Sequence, residues 1–153
     1  MFQTLLHSPI GTLLIEGTRE AITGVHFVAA DTPVGKSCRM VNKARTQLKQ
    51  YFAGKRKVFE LPLDLSACRD FQKRVLAEVA AVEYGHTTTY GQIARRIKRV
   101  TAQRAVGRAN ARNPISIIVP CHRVIASNGK LTGYGGGLPA KEWLLKHEHA
   151  ILM

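Results

Sequence analysis

The sequence predicts an α+β protein in two parts, a strand-rich α/β segment over residues 1–65 and a mainly helical one over residues 66–153. Three observations predict it. Short β-rich runs parted by turn residues fill the first thirty positions. Apolar residues recur at helical spacing through the second half. A Pro-containing stretch, Lys55 to Ser66, reads as the linker between them. A length of 153 residues suits one domain or two small ones.

In chain order, Leu5-Leu6 leads into a turn at Ser8-Pro9-Ile10-Gly11. Thr12–Ile15 and Ile22–Val28 are β-rich runs separated by the polar turn Gly17-Thr18-Arg19-Glu20. Val41, Ala44, Leu48 and Phe52 mark one face of a helix from about Met40 to Phe52, stopped by Gly54. Phe71, Val75, Leu76 and Val79 mark another, from Asp70 to Val82. Gly85–Thr89 reads as a loop, and Tyr90–Ile97 as a short helix. Thr101 is the expected N-cap of a second helix reaching Ala111. Two short helices joined by a turn of three or four residues suggest a helix-turn-helix, with small residues on the second helix permitting close approach to DNA. Asn113–Pro120 is an apolar run between two prolines and reads as buried extended chain. A glycine-rich loop, Gly133–Gly137, precedes a last helix over about Pro139–His149. Trp143 is expected to be a core anchor there, with Leu144 and Ile151 on the same face.

Charge narrows the function. The chain has 23 Lys+Arg against 10 Asp+Glu, a formal +13. No acid occurs between Glu83 and Glu142, yet that stretch holds Arg95, Arg96, Lys98, Arg99, Arg104, Arg108, Arg112, Arg123, Lys130 and Lys141. Such a stretch favours a polyanion, most often nucleic acid, with a solubilising basic face as the plain alternative. With about 3–5 phosphate contacts, binding weakens with salt at a log–log slope near −3 to −4. At 45% hydrophobic and 22% charged, the composition excludes disorder throughout. No apolar run approaches the ~18 residues of a membrane span, and the N-terminus lacks a secretory pattern. Three cysteines, Cys38, Cys68 and Cys121, make no disulfide framework, which points to a reducing, cytoplasmic setting.

The run Pro120-Cys121-His122-Arg123 carries the candidate chemistry. A free thiol is only roughly 3% ionised at pH 7, so a nucleophilic Cys121 needs a base or a positive neighbour. Adjacent side chains rarely face each other well, so a water between thiol and imidazole is expected. The other reading is a small buried hydrophobe beside a satisfied histidine.

Asn113-Pro114, Ile118-Val119-Pro120-Cys121-His122-Arg123-Val124-Ile125, Gly133-Tyr134-Gly135-Gly136-Gly137-Leu138 and Lys141-Glu142-Trp143-Leu144-Leu145 together resemble the O6-alkylguanine-DNA alkyltransferases, or methylated-DNA–protein-cysteine methyltransferases. Thr89-Tyr90-Gly91-Gln92-Ile93-Ala94 and Arg104-Ala105-Val106-Gly107 fall at that family's spacing upstream. The match spans about Phe71 to Glu148, and the first half matches loosely, mainly through Ser8–Gly11.

The resemblance implies an RNase H-like α/β domain over 1–65, then a helical domain over 66–153 with a winged-helix-like helix-turn-helix. It implies direct reversal of DNA damage: a single, irreversible transfer of the alkyl group from O6-alkylguanine, and O4-alkylthymine, to Cys121. His122 would take the thiol proton through water, Glu148 would orient His122, and Asn113 would tie the turn to the active-site backbone. Tyr90, Tyr134, Gly135, Val124 and Lys141 would bind the flipped base. Arg104 would enter the stack as a finger, while Ala105, Gly107, Arg108, Ala109 and Arg123 would meet the minor groove of double-stranded DNA. The implied protein is a monomer without cofactor or metal or membrane association, cytoplasmic and, in a eukaryote, also nuclear. His147, Glu148 and His149, or Cys38, His7 and His26, reproduce no recognisable zinc ligand set. Relatives often carry Ser or Ala at Gly135, and some carry more hydrophobic or basic residues at Asn110 and Ala111, which bears on groove affinity. Two other classes stay open: a non-catalytic lesion sensor, which would lack the cysteine that this chain has, and a multiple-turnover cysteine hydrolase.

Overall fold

The computed structural model describes residues 1–150, so Ile151 lies outside the described residues. The chain divides into two compact units. The first comprises residues 1–65 and Pro114–Ser116; the second comprises residues 66–113 and the chain from Ile117 onward.

In the first unit, β1 (Phe2–Ser8), β2 (Gly11–Gly17) and β3 (Ile22–Val28) form an antiparallel meander, with Leu5 opposite Leu14 and Ile15 opposite Val25. Gly11 opens β2 at φ 124°, a conformation that glycine adopts without a Cβ clash. Helix α1 (Arg39–Phe52) buries Val41, Ala44, Leu48 and Tyr51, and the sheet buries Leu13, Ile15 and Val25. The Lys55–Ser66 segment is not wholly a linker. Ile22 N–H donates to Pro62 O at 2.9 Å, and Asp64 N–H donates to Ile22 O at 2.9 Å, so residues 62–64 pair beside β3. Pro114–Ser116 does likewise: Val25 N–H donates to Pro114 O, and Ser116 N–H to Val25 O. The backbone needs of β3 recruit both segments, a demand that local sequence does not display.

The second unit contains α2 (Asp70–Ala80), β4 (Thr88–Thr89), α3 (Tyr90–Arg96), α4 (Gln103–Ala111), a 3-10 turn (Cys121–Arg123), β5 (Val124–Ile125) and α5 (Leu138–His147). Val75, Leu76, Val79, Ile93, Val106 and Leu144 are fully buried. Part of the expected loop at 85–89 is strand: Thr88–Thr89 pairs in parallel with Val124–Ile125. The turn between α3 and α4 has six residues, 97–102, rather than three or four. It closes through Arg99 N–H to Ala94 O at 2.8 Å, with Lys98 left-handed at φ 60°. Thr101 is exposed and is not the cap; Ala102 holds that position with no side-chain bond. The expected extended run 113–120 is interrupted at Ile117, whose φ of 71° costs a β-branched residue roughly 1–3 kcal/mol. Trp143 is only half-buried and stacks on His147 at 4.7 Å, while Ala140, Lys141, Leu144 and Leu145 form the buried side of α5.

Candidate active site

Short local devices bring the site together. Thr89 caps α3 by accepting from Gln92 N–H at 3.1 Å, while the Gln92 side chain accepts from Thr89 N–H at 3.1 Å. Because Thr89 also pairs with Ile125, Tyr90 starts α3 next to the strand that follows Cys121. Arg123 N–H donates to Pro120 O at 2.9 Å, closing the turn on which Cys121 and His122 sit. Two asparagines fasten that turn. Asn113 Nδ2 donates to Val119 O at 2.8 Å, and Asn110 Nδ2 donates to Cys121 O at 3.2 Å.

Beneath the turn lies a buried polar core. His122 Nε2 bonds to Glu148 Oε2 at 2.8 Å. Arg123 grips the same carboxylate in a fork, Nε to Oε1 at 2.8 Å and a terminal nitrogen to Oε2 at 3.1 Å, and donates to Val82 O at 2.7 Å. Glu148 caps the C-terminal end of α5, where a helix disfavours an anion, so its charge depends on these partners. Burial pushes its carboxyl up, but the bonds from His122 and Arg123 outweigh burial and hold it down at about 2. Burial pushes His122 below the ordinary imidazole value against the pull of Glu148. The imidazole is therefore neutral and donates Nε2–H to the carboxylate. Its buried Nδ1 has no hydrogen-bond partner among the described residues and remains a proton acceptor.

Burial also pushes the Cys121 thiol up, against a hydrogen bond from Asn113, the Lys141 charge and backbone N–H groups. The resting sulfur is thus a thiol, not the standing thiolate that an activated cysteine suggests. Burial pulls Lys141 down to about 8, opposed by Cys121. Its Nζ donates to Val124 O and Thr132 O, both at 2.7 Å. Tyr134 is held well above the usual phenol range by burial and by Cys121 and Glu148, so it stays protonated; its ring meets His122 edge-on at 6.5 Å.

Not every expected residue falls where the sequence suggests. Cys121, His122, Glu148, Asn113, Val124, Lys141 and Tyr134 converge, as their bonds and charges show. Arg123 does not face DNA: it is 7% exposed, and its guanidinium is the counter-ion of Glu148. Ala109 is 7% exposed and packs toward α2, where its carbonyl accepts from Gln72. Lys141 is fully buried, and its ammonium serves two backbone carbonyls rather than facing an open base site. Arg104, Arg108 and Ala111 are exposed on α4, with Ala105 and Gly107 partly so. Tyr90, Arg104, Gly107, Thr132 and Gly133 line a concavity of about 520 Å³ on that side. A Cβ on Gly107 would meet only the Tyr90 ring, at 3.8 Å, so glycine there lowers the outer surface of α4 rather than relieving a clash. Gly135 is exposed, and a Cβ there meets nothing within 4 Å. Cys121 is 6% exposed and is not among the residues that line this concavity.

Two residues escape a reading by motif. Thr132 accepts from Lys141 and exchanges a bond with Tyr90 at 3.1 Å, and nothing in its flanking sequence marks it. Asn110 was legible only as a departure bearing on the groove; its spacing four after Val106 is the signal that it faces inward. Its Oδ1 is buried without a partner among the described residues. The Cys121 carbonyl also accepts from Val124 N–H, so losing Asn110 strands no acceptor. Asn110→Leu is accordingly expected to leave stability within about 1 kcal/mol of the parent, because the orphaned oxygen departs with the bond. Reaction at the Cys121 sulfur is expected to slow roughly 10-fold or more as the turn loosens. Urea melts and single-turnover rates check both.

A buried thiol beside a neutral, carboxylate-oriented imidazole, next to a helix pair with a basic outer helix, defines a nucleic-acid-binding protein with a nucleophilic cysteine. Residues 70–150 match the family model of the 6-O-methylguanine DNA methyltransferase DNA-binding domain, and residues 1–65 match that of its ribonuclease-like domain. The chain is 44% identical to the methylated-DNA–protein-cysteine methyltransferase of Methanosarcina acetivorans, over 97% of this chain and 98% of the relative. It is 44% identical to that of Mycolicibacterium paratuberculosis, over 92% and 88%. The crystal structure of Mycobacterium tuberculosis OGT in complex with DNA superposes with a TM-score of 0.88 at 41% identity, covering 98% of this chain and 94% of that one. The chain belongs to the 6-O-methylguanine DNA methyltransferase family.

Proposed function

We propose that this protein repairs alkylated DNA by direct reversal, transferring the alkyl group of O6-alkylguanine to Cys121. The observation that carries the reading is the neutral His122, held at Nε2 by Glu148 and open at Nδ1, on the same turn as a protonated buried thiol. The Cys121 proton passes to His122 Nδ1 through a bridging water, and the sulfur attacks the alkyl carbon. The carbon–O6 bond breaks, its electrons remain on the purine, and a hydroxyl from Tyr134 or Tyr90 offsets the charge developing there. The product is a thioether, so each molecule acts once.

DNA reaches this site through the exposed side of α4 in the minor groove, with the protein acting as a monomer. Arg104 fills the space left by the flipped nucleotide, offsetting an extrusion cost of a few kcal/mol. With a duplex holding one O6-methylguanine, a single methyl mass is expected on the peptide containing Cys121, capped at one per protein molecule. Multiple turnovers would indicate a hydrolase, and lesion binding without mass change would indicate a sensor. Arg104→Ala is expected to slow transfer from duplex roughly 10- to 100-fold while sparing transfer from the free alkylated base. Equal slowing on both substrates would remove Arg104 from the flipping step.

A further inference from the structure

A second basic surface lies in the first unit. Residues 32–59 contain no carboxylate and eight cations between Lys36 and Lys57. Helix α1 sorts several of them to one side. With Val41, Ala44, Leu48 and Tyr51 inward, Arg39, Asn42, Lys43, Thr46 and Lys49 are exposed along the opposite face. Arg19, from the turn between β2 and β3, joins Arg39 and Lys43 around an open concavity whose remaining walls include Asn42 and Thr46.

Few of these cations serve the fold, although Arg19 lies over the Phe2 ring at 4.8 Å. Arg45 donates to Leu5 O and Arg56 to Gln50 and Val58, but Arg39, Lys43 and Lys49 make no ion pair among the described residues. Glu20 adjoins Arg19 in sequence and forms no ion pair with it among the described residues. The arrangement also weakens α1. Like charges four residues apart repel, and a cation in the first turn opposes the helix dipole. Along the helix axis Arg39 and Lys43 lie about 6 Å apart, and Lys43 and Lys49 about 9 Å. Each strand of a duplex presents a phosphate every ~3.4 Å of rise, so cations at this spacing can meet more than one phosphate without reading bases.

We infer that the outer face of α1 is a second, sequence-independent contact for the phosphates of duplex DNA. Only the choice of polyanion rests on the proposed function; the face itself does not. The test uses the full chain and an undamaged duplex titrated at several KCl concentrations. Arg39→Gln/Lys43→Gln is compared with Lys55→Gln/Lys57→Gln, which removes the same charge off this face. The first variant is expected to flatten the log–log salt slope by about 2, and the second to leave it near that of the parent. Equal slopes in all three proteins, or equal flattening in both variants, would overturn the inference. Transfer from free O6-alkylguanine base is expected to be unchanged in both variants, which reports an intact fold and site. Loss of that transfer in the parent protein would instead defeat the repair reading, whatever the slopes.

Discussion

Cys121→Ser takes up no methyl from O6-methylguanine duplex, while its affinity for that duplex stays within a few-fold of the parent. The substitution keeps the shape of a residue that is 6% exposed and fastened by Asn110 and Asn113, so DNA binding has no reason to change. What it removes is the nucleophile. Burial already resists ionisation of this thiol, and an alcohol in the same place is far harder still to ionise. Peptide mass spectrometry after a single turnover checks the result, and methyl appearing on the serine variant would remove Cys121 from the mechanism. The same close packing governs the spent protein. An added methyl in a filled core costs about 1–3 kcal/mol, which lowers the melting temperature by roughly 2 to 12 °C. A methylated protein that melts with the parent would mean that the site opens to accommodate the product.

Glu148→Gln is expected to cost about 3–5 kcal/mol, because it leaves the Arg123 guanidinium buried without a counter-charge. Transfer falls as well, since His122 loses the carboxylate that selects its tautomer. The pH dependence separates this from a general loss of packing. The folded carboxyl titrates near 2, below its ordinary 4.5, so the folded state binds fewer protons than the unfolded chain between those values. The stabilisation is complete above about 4.5 and is lost as the pH falls towards 2. His122, also shifted down from 6.5, has the same sign: its contribution is present above 6.5 and declines below it. The parent should therefore lose stability in two stages on acidification, and Glu148→Gln should lack the lower one. Denaturant melts across this range measure it; an unchanged acid limb would show that Glu148 does not supply the charge described.

Much of the local structure was readable from the residues because it depends on near neighbours. Alternating apolar runs between Gly and Pro turns specify β1 to β3, and the spacing of Val41, Ala44 and Leu48 specifies α1. The string around Cys121 marks the chemistry. The errors share a cause. Thr101 looks like a cap, but the cap position fell one residue later, where the turn from α3 happened to close. Thr88–Thr89 became strand only because Val124–Ile125 lies alongside.

The chain alone determined that a cysteine with an adjacent histidine follows a strongly basic pair of short helices, since residue type, spacing and charge are properties of the polymer. Only the tertiary structure decided that Arg123 is an internal counter-ion rather than a DNA contact, that Lys141 serves two carbonyls, and that Asn110 turns inward to hold Cys121. The role of a charged or polar side chain depends on whether water or protein surrounds it. For Arg123 and Asn110, that is settled by segments 25 and 11 residues away meeting in space.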